Sequence, residues 1–275
     1  MTRKAIIWIL LAILTGTRLL SQGLPANASY TVLSVLANQV SDFEIDPLGN
    51  LYLLLPNQQL KKLNTNHDSV SAFNDVRNFG KLHSMDASNP LRVLLYYKEF
   101  GTILILDRFL NVRTTLDLRQ AGLLQCSAIA QSFDNNIWLF DELDNQLKKV
   151  DERGTVLVTS PDFRILYPDP PKPTVLHDYN RYLFAYDTAK GLVMMDYFGA
   201  SRGLMPYLGW KNLDGQGKGL LATNGTGWVY LEAGRPMVQE QPLPPEILAQ
   251  KKIRLRGQRV YALNNQGQLT VYALQ

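Results

Sequence analysis

Three histidines (His67, His83 and His177) and one cysteine (Cys126) supply all the imidazole and thiol in this 275-residue chain. Their separations fit no Cys/His zinc spacing. No GxSxG elbow, HExxH helix or phosphate-cradling GxxxxGK loop occurs. Cys126 has no second cysteine to pair with; within Cys126-Ser-Ala-Ile-Ala130 it reads as a small apolar residue on a buried strand. The sequence therefore predicts no catalytic residue, no metal and no cofactor. The side chains with something to offer a partner are charged or aromatic and stand in turn-like segments. They are Lys98 and Glu99, Asp141 and Glu142 with Asp144, Asp187 with Lys190, and the aromatics Tyr207 and Trp210 in the stretch 205–218. These are the candidate partner-binding residues, because loop charges orient association and loop aromatics anchor it. The competing assignment is solvated turns for the charges and core packing of a degenerate unit for the aromatics.

An internal repeat must position these segments. Phe43-Glu-Ile-Asp-Pro-Leu-Gly-Asn-Leu-Tyr-Leu53 returns as Ile129-Ala-Gln-Ser-Phe-Asp-Asn-Asn-Ile-Trp-Leu139, displaced by 86 residues. Gln59-Leu-Lys-Lys-Leu-Asn64 returns as Gln146-Leu-Lys-Lys-Val-Asp151, displaced by 87, so both shifts are twice a period near 43. The runs 93–97 with 103–107, and 182–184 with 192–196, fall in the same phase. The residues that close successive apolar strands, Asn64, Asp107, Asp151 and Asp196, are spaced by 43, 44 and 45. Short polar side chains there bond nearby backbone and open the turn out of a strand, which explains them better than a metal site does. A period of about 40–45 residues made of short strands is that of β-propeller blades.

Two further units follow, one around Gly227-Trp-Val-Tyr-Leu231 and one from Lys252 to Ala273. The last unit supplies three strands only, while Tyr30-Thr-Val-Leu-Ser-Val-Leu36 is a strand without a unit. Adding it to the last unit covers an open edge and closes a ring of six. In this frame the charged hairpins join second and third strands and project on one face. His67 falls between third and fourth strands, His177 between first and second, and His83 near the start of an inner strand. Phe43, Ile45, Ile129 and Pro173-Thr-Val-Leu176 make the inner strands look apolar, with no convergent polar set. Tyr167-Pro-Asp-Pro-Pro-Lys-Pro173 reads as a stiff connector between units.

Thr2-Arg-Lys4 followed by the apolar run Ala5–Leu14 has the form of a secretory signal. Ten residues are too few to span a bilayer, which takes about 20. Cleavage near 21–26 leaves 27–275 as one domain, with an uncleaved anchor as the alternative. Hydrophobic residues make up 46% of the chain and charged residues 19%, enough for a large core. Losing Arg3, Lys4 and Arg18 from a chain of net charge +4 leaves a nearly neutral protein. No basic block with interleaved aromatics is present, so nucleic acid is not an expected partner. Export without a disulfide points to the periplasm or outer surface of a Gram-negative-type bacterium.

The segment Asp46-Pro-Leu-Gly-Asn-Leu-Tyr-Leu53, with its partial copy Asn135-Asn-Ile-Trp-Leu139, resembles the second-strand motif of six-bladed β-propellers of the NHL and TolB-like kind. That resemblance implies an all-β six-bladed ring that binds a protein or ligand on one face, or in fewer cases a lactonase-type or sugar-oxidising enzyme. The expectation is a non-enzymatic envelope propeller with a protein partner. The alternative is a metal-dependent, lactonase-like hydrolase or a small-ligand binder using the channel mouth.

Overall fold

The computed structural model describes residues 29–235 and 237–275, so the predicted signal segment 1–26 lies outside the described residues. The first strand, β1 (Tyr30–Ala37), is set aside by the chain for later use. Blade 1 follows as β2 (Asp42–Ile45), β3 (Leu51–Leu54), β4 (Leu60–Leu63) and β5 (Ser69–Phe73). Blade 2 is β6 (Ser84–Asn89), β7 (Arg92–Tyr97), β8 (Thr102–Asp107) and β9 (Val112–Asp117). Blade 3 is β10 (Cys126–Gln131), β11 (Ile137–Asp141), β12 (Gln146–Val150) and β13 (Val156–Thr159). Blade 4 is β14 (Val175–Tyr179), β15 (Tyr182–Asp187), β16 (Gly191–Asp196) and β17 (Ser201–Met205). Blade 5 is β18 (Lys211–Gln216), β19 (Gly219–Thr223), β20 (Gly227–Glu232) and β21 (Val238–Pro242). Blade 6 is β22 (Lys252–Arg256), β23 (Arg259–Leu263) and β24 (Leu269–Leu274), completed by β1 in the order β1-β24-β23-β22. The described residues thus form a six-bladed propeller, each blade an antiparallel four-stranded sheet.

The sequence pattern explains this layering. Middle strands such as β3, β7 and β11 are buried along their whole length, because blades cover both faces of each sheet. Outer strands such as β5 and β13 are mostly exposed. Each core cluster therefore belongs to two blades. Tyr52 and Leu60 pack with Val93, Leu95 and Leu104, while Phe43, Ile45 and Leu51 pack with Tyr261, Leu263 and Leu269 to join the two ends of the chain.

The expected turn chemistry is present. Asp107 Oδ1 accepts the N–H groups of Phe109 at 2.8 Å and Asn111 at 2.9 Å. Asn64, Asp151 and Asp196 each accept from the residues two and four further on in the same way. Closure by Tyr30–Ala37 is as expected, with Tyr30 opposite Leu274 and Ala37 opposite Leu269. Two expectations need correcting. Residues 211–216 are the inner strand β18 rather than a loop; the run is hard to recognise because polar residues and a bulge between Lys211 and Asp214 hide its alternation. Gly215 belongs there because a Cβ would lie 2.4 Å from the Tyr179 ring. His177 lies on β14 itself, opposite Phe184, and not in the following turn.

Candidate functional site

The six inner strands surround an axial channel with a volume of about 700 Å³. Contrary to the apolar inner strands expected from sequence, the lining carries Asp42, Glu44, Asp86, Asp178 and Asp214 together with Lys211, Lys251, Lys252, Arg254 and Arg256. The physical reason is parity. Phe43 and Ile45 turn into the blade core, which leaves Asp42 and Glu44 on the opposite side of the same strand.

Most of these charges tie one blade to the next. At the seam between blades 6 and 1, Arg254 grips Glu44 with two bonds of 2.9 and 2.8 Å, and Lys252 Nζ lies 2.8 Å from Asp42 and 2.7 Å from Glu44. Arg256 pairs with Asp214 of blade 5 and donates to the Ile45 carbonyl at 2.9 Å. Burial would push the Glu44 carboxyl up, but Arg254 and Lys252 outweigh it and hold it well below the usual carboxylate range. Between blades 3 and 4, Asp178 accepts from Ser132 Oγ at 3.0 Å, Trp138 Nε1 at 3.0 Å and Tyr197 Oη at 2.8 Å. Burial still raises its pKa, with those donors opposing the shift. Between blades 2 and 3, Asp86 Oδ2 accepts the Gln131 N–H at 2.7 Å. The Gln131 side chain is another matter: the residue is 5% exposed, and neither its amide nitrogen nor its amide oxygen has a partner.

Among the described residues no three His, Cys, Asp or Glu side chains converge on a point that could hold a metal ion. His177 lines the channel alone among the histidines. His83 lies edge-on to Tyr96, with burial and then Lys98 lowering its pKa. His67 occupies a left-handed turn position between β4 and β5, as expected. Burial pushes the Cys126 thiol up to about 12, so it is inert at neutral pH.

Calling the face on which inner strands begin the upper one, all the predicted partner-binding residues belong to its hairpins and connectors. Lys98 Nζ lies 3.7 Å from Glu142 in the neighbouring blade's hairpin, while Glu99 is exposed. Asp144 is exposed beside Lys148, with which it pairs. Asp141 is only 3% exposed and lies 2.8 Å from Lys148 Nζ, so it is an internal ion-pair member and not a solvated turn charge. Asp187 accepts the Lys172 N–H at 2.7 Å, and Lys190 pairs with Asp169, so both hold down the proline-rich connector. Tyr207 and Trp210 stack at 4.7 Å, but Trp210 is 6% exposed and belongs to the core between blades 4 and 5, where its backbone N–H donates to Tyr186 Oη at 2.6 Å. The predicted aromatic patch is therefore largely internal. What sequence reading missed on this face is a set of exposed apolar side chains: Phe100, Leu124, Leu143, Ile165 and Leu208. The available signal was Leu143, an apolar residue inside the acidic hairpin Asp141-Glu-Leu-Asp144.

No protein-family model matches the sequence, and no curated protein does. Solved structures do match in fold. A streptogramin B lyase is 13% identical with a TM-score of 0.60, over 90% of this chain and 87% of that one. Virginiamycin B lyase from Staphylococcus aureus is 9% identical with a TM-score of 0.61, over 90% of this chain and 100% of that one. The Pan2 WD40 domain of Neurospora crassa is 11% identical with a TM-score of 0.59, over 91% and 96%. At these identities the likeness is one of fold, and it agrees with the six-bladed propeller kind expected from the repeat.

Proposed function

We propose that the chain is an exported, non-enzymatic β-propeller that acts as a protein-interaction module in the bacterial cell envelope. The observation that carries this reading is the upper face. Phe100, Leu124, Leu143, Ile165 and Leu208 stand exposed there, with Ile165 at 83%, among the charges of Lys98, Glu99, Glu142 and Asp144. Large apolar side chains rimmed by charge have the composition of a docking surface. The channel supports the non-enzymatic part of the reading. Four of its five carboxylates are committed to bonds with side chains of a neighbouring blade, whereas general acid–base work needs a group free to exchange a proton with a substrate. Export rests on the N-terminal Thr2-Arg-Lys4 and the apolar run behind it. No helix among the described residues is long and apolar enough to cross a membrane.

The test is affinity capture from envelope fractions with the wild type and a Leu143→Glu, Ile165→Glu variant. Both positions are exposed, so melting is expected to stay the same, while partner recovery falls about tenfold or more, as for loss of an interface anchor. Equal recovery by a folded variant removes the upper face as the docking surface. Sequencing the N-terminus of the purified protein checks export, with processing expected between residues 20 and 29.

A further inference from the structure

The channel carries an inference separate from the upper face. In a six-bladed ring, blade 5 stands across the axis from blade 2, and blade 6 from blade 3. Three pairs of lining charges cancel within the protein, Asp42 with Lys252, Glu44 with Arg254 and Asp214 with Arg256. What remains is segregated. Lys211 on blade 5 has no side-chain hydrogen-bond partner among the described residues, and Lys251, at the start of blade 6, donates only to the Ser41 carbonyl at 2.6 Å. On the opposite arc, Asp86 on blade 2 accepts the backbone N–H groups of Ser88 and Gln131 at 2.8 and 2.7 Å and makes no ion pair of its own; Arg92, whose charge acts on it at longer range, is paired with Glu152 at 3.2 Å. Asp178, the other remaining carboxylate, is already occupied by Ser132, Trp138 and Tyr197.

Gln131 is the second, independent sign. It lies in the channel wall on blade 3, beside Asp86, with both ends of its amide buried and unbonded. A buried amide left without partners costs stability and calls for an explanation, and a ligand in the channel it lines would supply one. The volume of about 700 Å³ suits a small molecule. A ligand with one charge would leave the opposite arc without a counter-charge; a dipolar one satisfies both.

We propose that the axial channel binds a small zwitterion of the amino-acid or short-peptide class, its carboxylate held by Lys211 and Lys251 and its ammonium by Asp86, with Gln131 bonding beside the ammonium end. The probe is trialanine with free ends, compared with its N-acetyl and C-amide forms, titrated into the mature protein by calorimetry and by thermal shift. Concentrations up to about 10 mM reach weak complexes with Kd near 1 mM. Free trialanine is expected to bind and raise Tm, and each blocked form to bind at least about tenfold more weakly. Lys211→Met and Asp86→Asn are each expected to lose tenfold or more. Asn keeps one acceptor oxygen and gives up one of the two backbone N–H bonds, so its Tm is read beside its affinity, and Lys211→Met, at an exposed position, carries the test if Asp86→Asn is unstable. Gln131→Met removes two buried unpartnered atoms. It should raise the Tm of the free protein by about 2–4 °C while weakening trialanine. Absence of binding, equal binding of a blocked form, or a Gln131→Met protein with lower Tm and unchanged affinity overturns the proposal.

Discussion

Asp141 and Glu99 carry the same charge in equivalent hairpins of neighbouring blades, yet they differ completely in what surrounds them. Glu99 is exposed, and its carboxylate has no ion-pair partner among the described residues. Asp141 is buried against Lys148, which is itself largely covered, and its other oxygen accepts the Leu143 N–H at 3.0 Å. Asp141→Ala is therefore expected to cost about 2 kcal/mol by leaving the Lys148 ammonium half-paired, whereas Glu99→Lys should change stability by less than about 0.5 kcal/mol. Urea melts of the two variants check this, and equal midpoints would contradict the burial of Asp141. The turn-closing residues Asn64, Asp107, Asp151 and Asp196 were legible in sequence because their bonds reach only two to four residues along the chain. The burial of Asp141 was not. It depends on Lys148 returning from the next strand and on Phe163 capping the hairpin from the following connector, where its N–H donates to the Asn145 carbonyl at 2.9 Å.

Among elements, β1 matters most, since it comes from one end of the chain and completes a sheet made by the other. It runs eight residues against four to six for the other outer strands, and it bulges twice along β24. Without it, β24 would present an apolar unpaired edge containing Val271 and Tyr272, a template for pairing with other molecules. A chain beginning at Gln39 is thus expected to be insoluble or to melt far below the intact domain. Wild-type-like melting of that chain would show that β1 does not close the ring. This element was legible because an apolar strand stood outside the repeat and the last unit lacked one. β18 was not legible. Of its side chains only Leu213 is buried, and Gly215 is selected by the Tyr179 ring of the preceding blade, a contact that no local pattern announces.

Over the whole molecule, closure is electrostatic inside the channel and hydrophobic outside it. The Glu44–Arg254 pair joins residues 210 apart in sequence, which is why the channel's polar lining stayed hidden from a reading of the inner strands one at a time. The pH dependence follows from Glu44. Its folded-state pKa is depressed, burial being outweighed by Arg254 and Lys252. The stability it contributes is therefore fully present above the unfolded value of about 4.3, and it is lost as pH falls through the folded one. Thermal midpoints should thus hold from neutrality to about pH 5 and fall below about pH 4. If the seam is the cause, its two members are coupled. Glu44→Leu leaves Arg254 and Lys252 facing one another in a largely covered site and should cost about 3 kcal/mol. The double change Glu44→Leu, Arg254→Leu removes both sides, leaves Lys252 its bond to Asp42, and should recover most of that loss, since apolar replacements of a buried pair are often neutral. A double-mutant cycle at pH 7, repeated at pH 3, tests the whole scheme. The coupling should be large at pH 7 and shrink at pH 3. Additive losses at both pH values would place the acid-sensitive latch elsewhere in the ring.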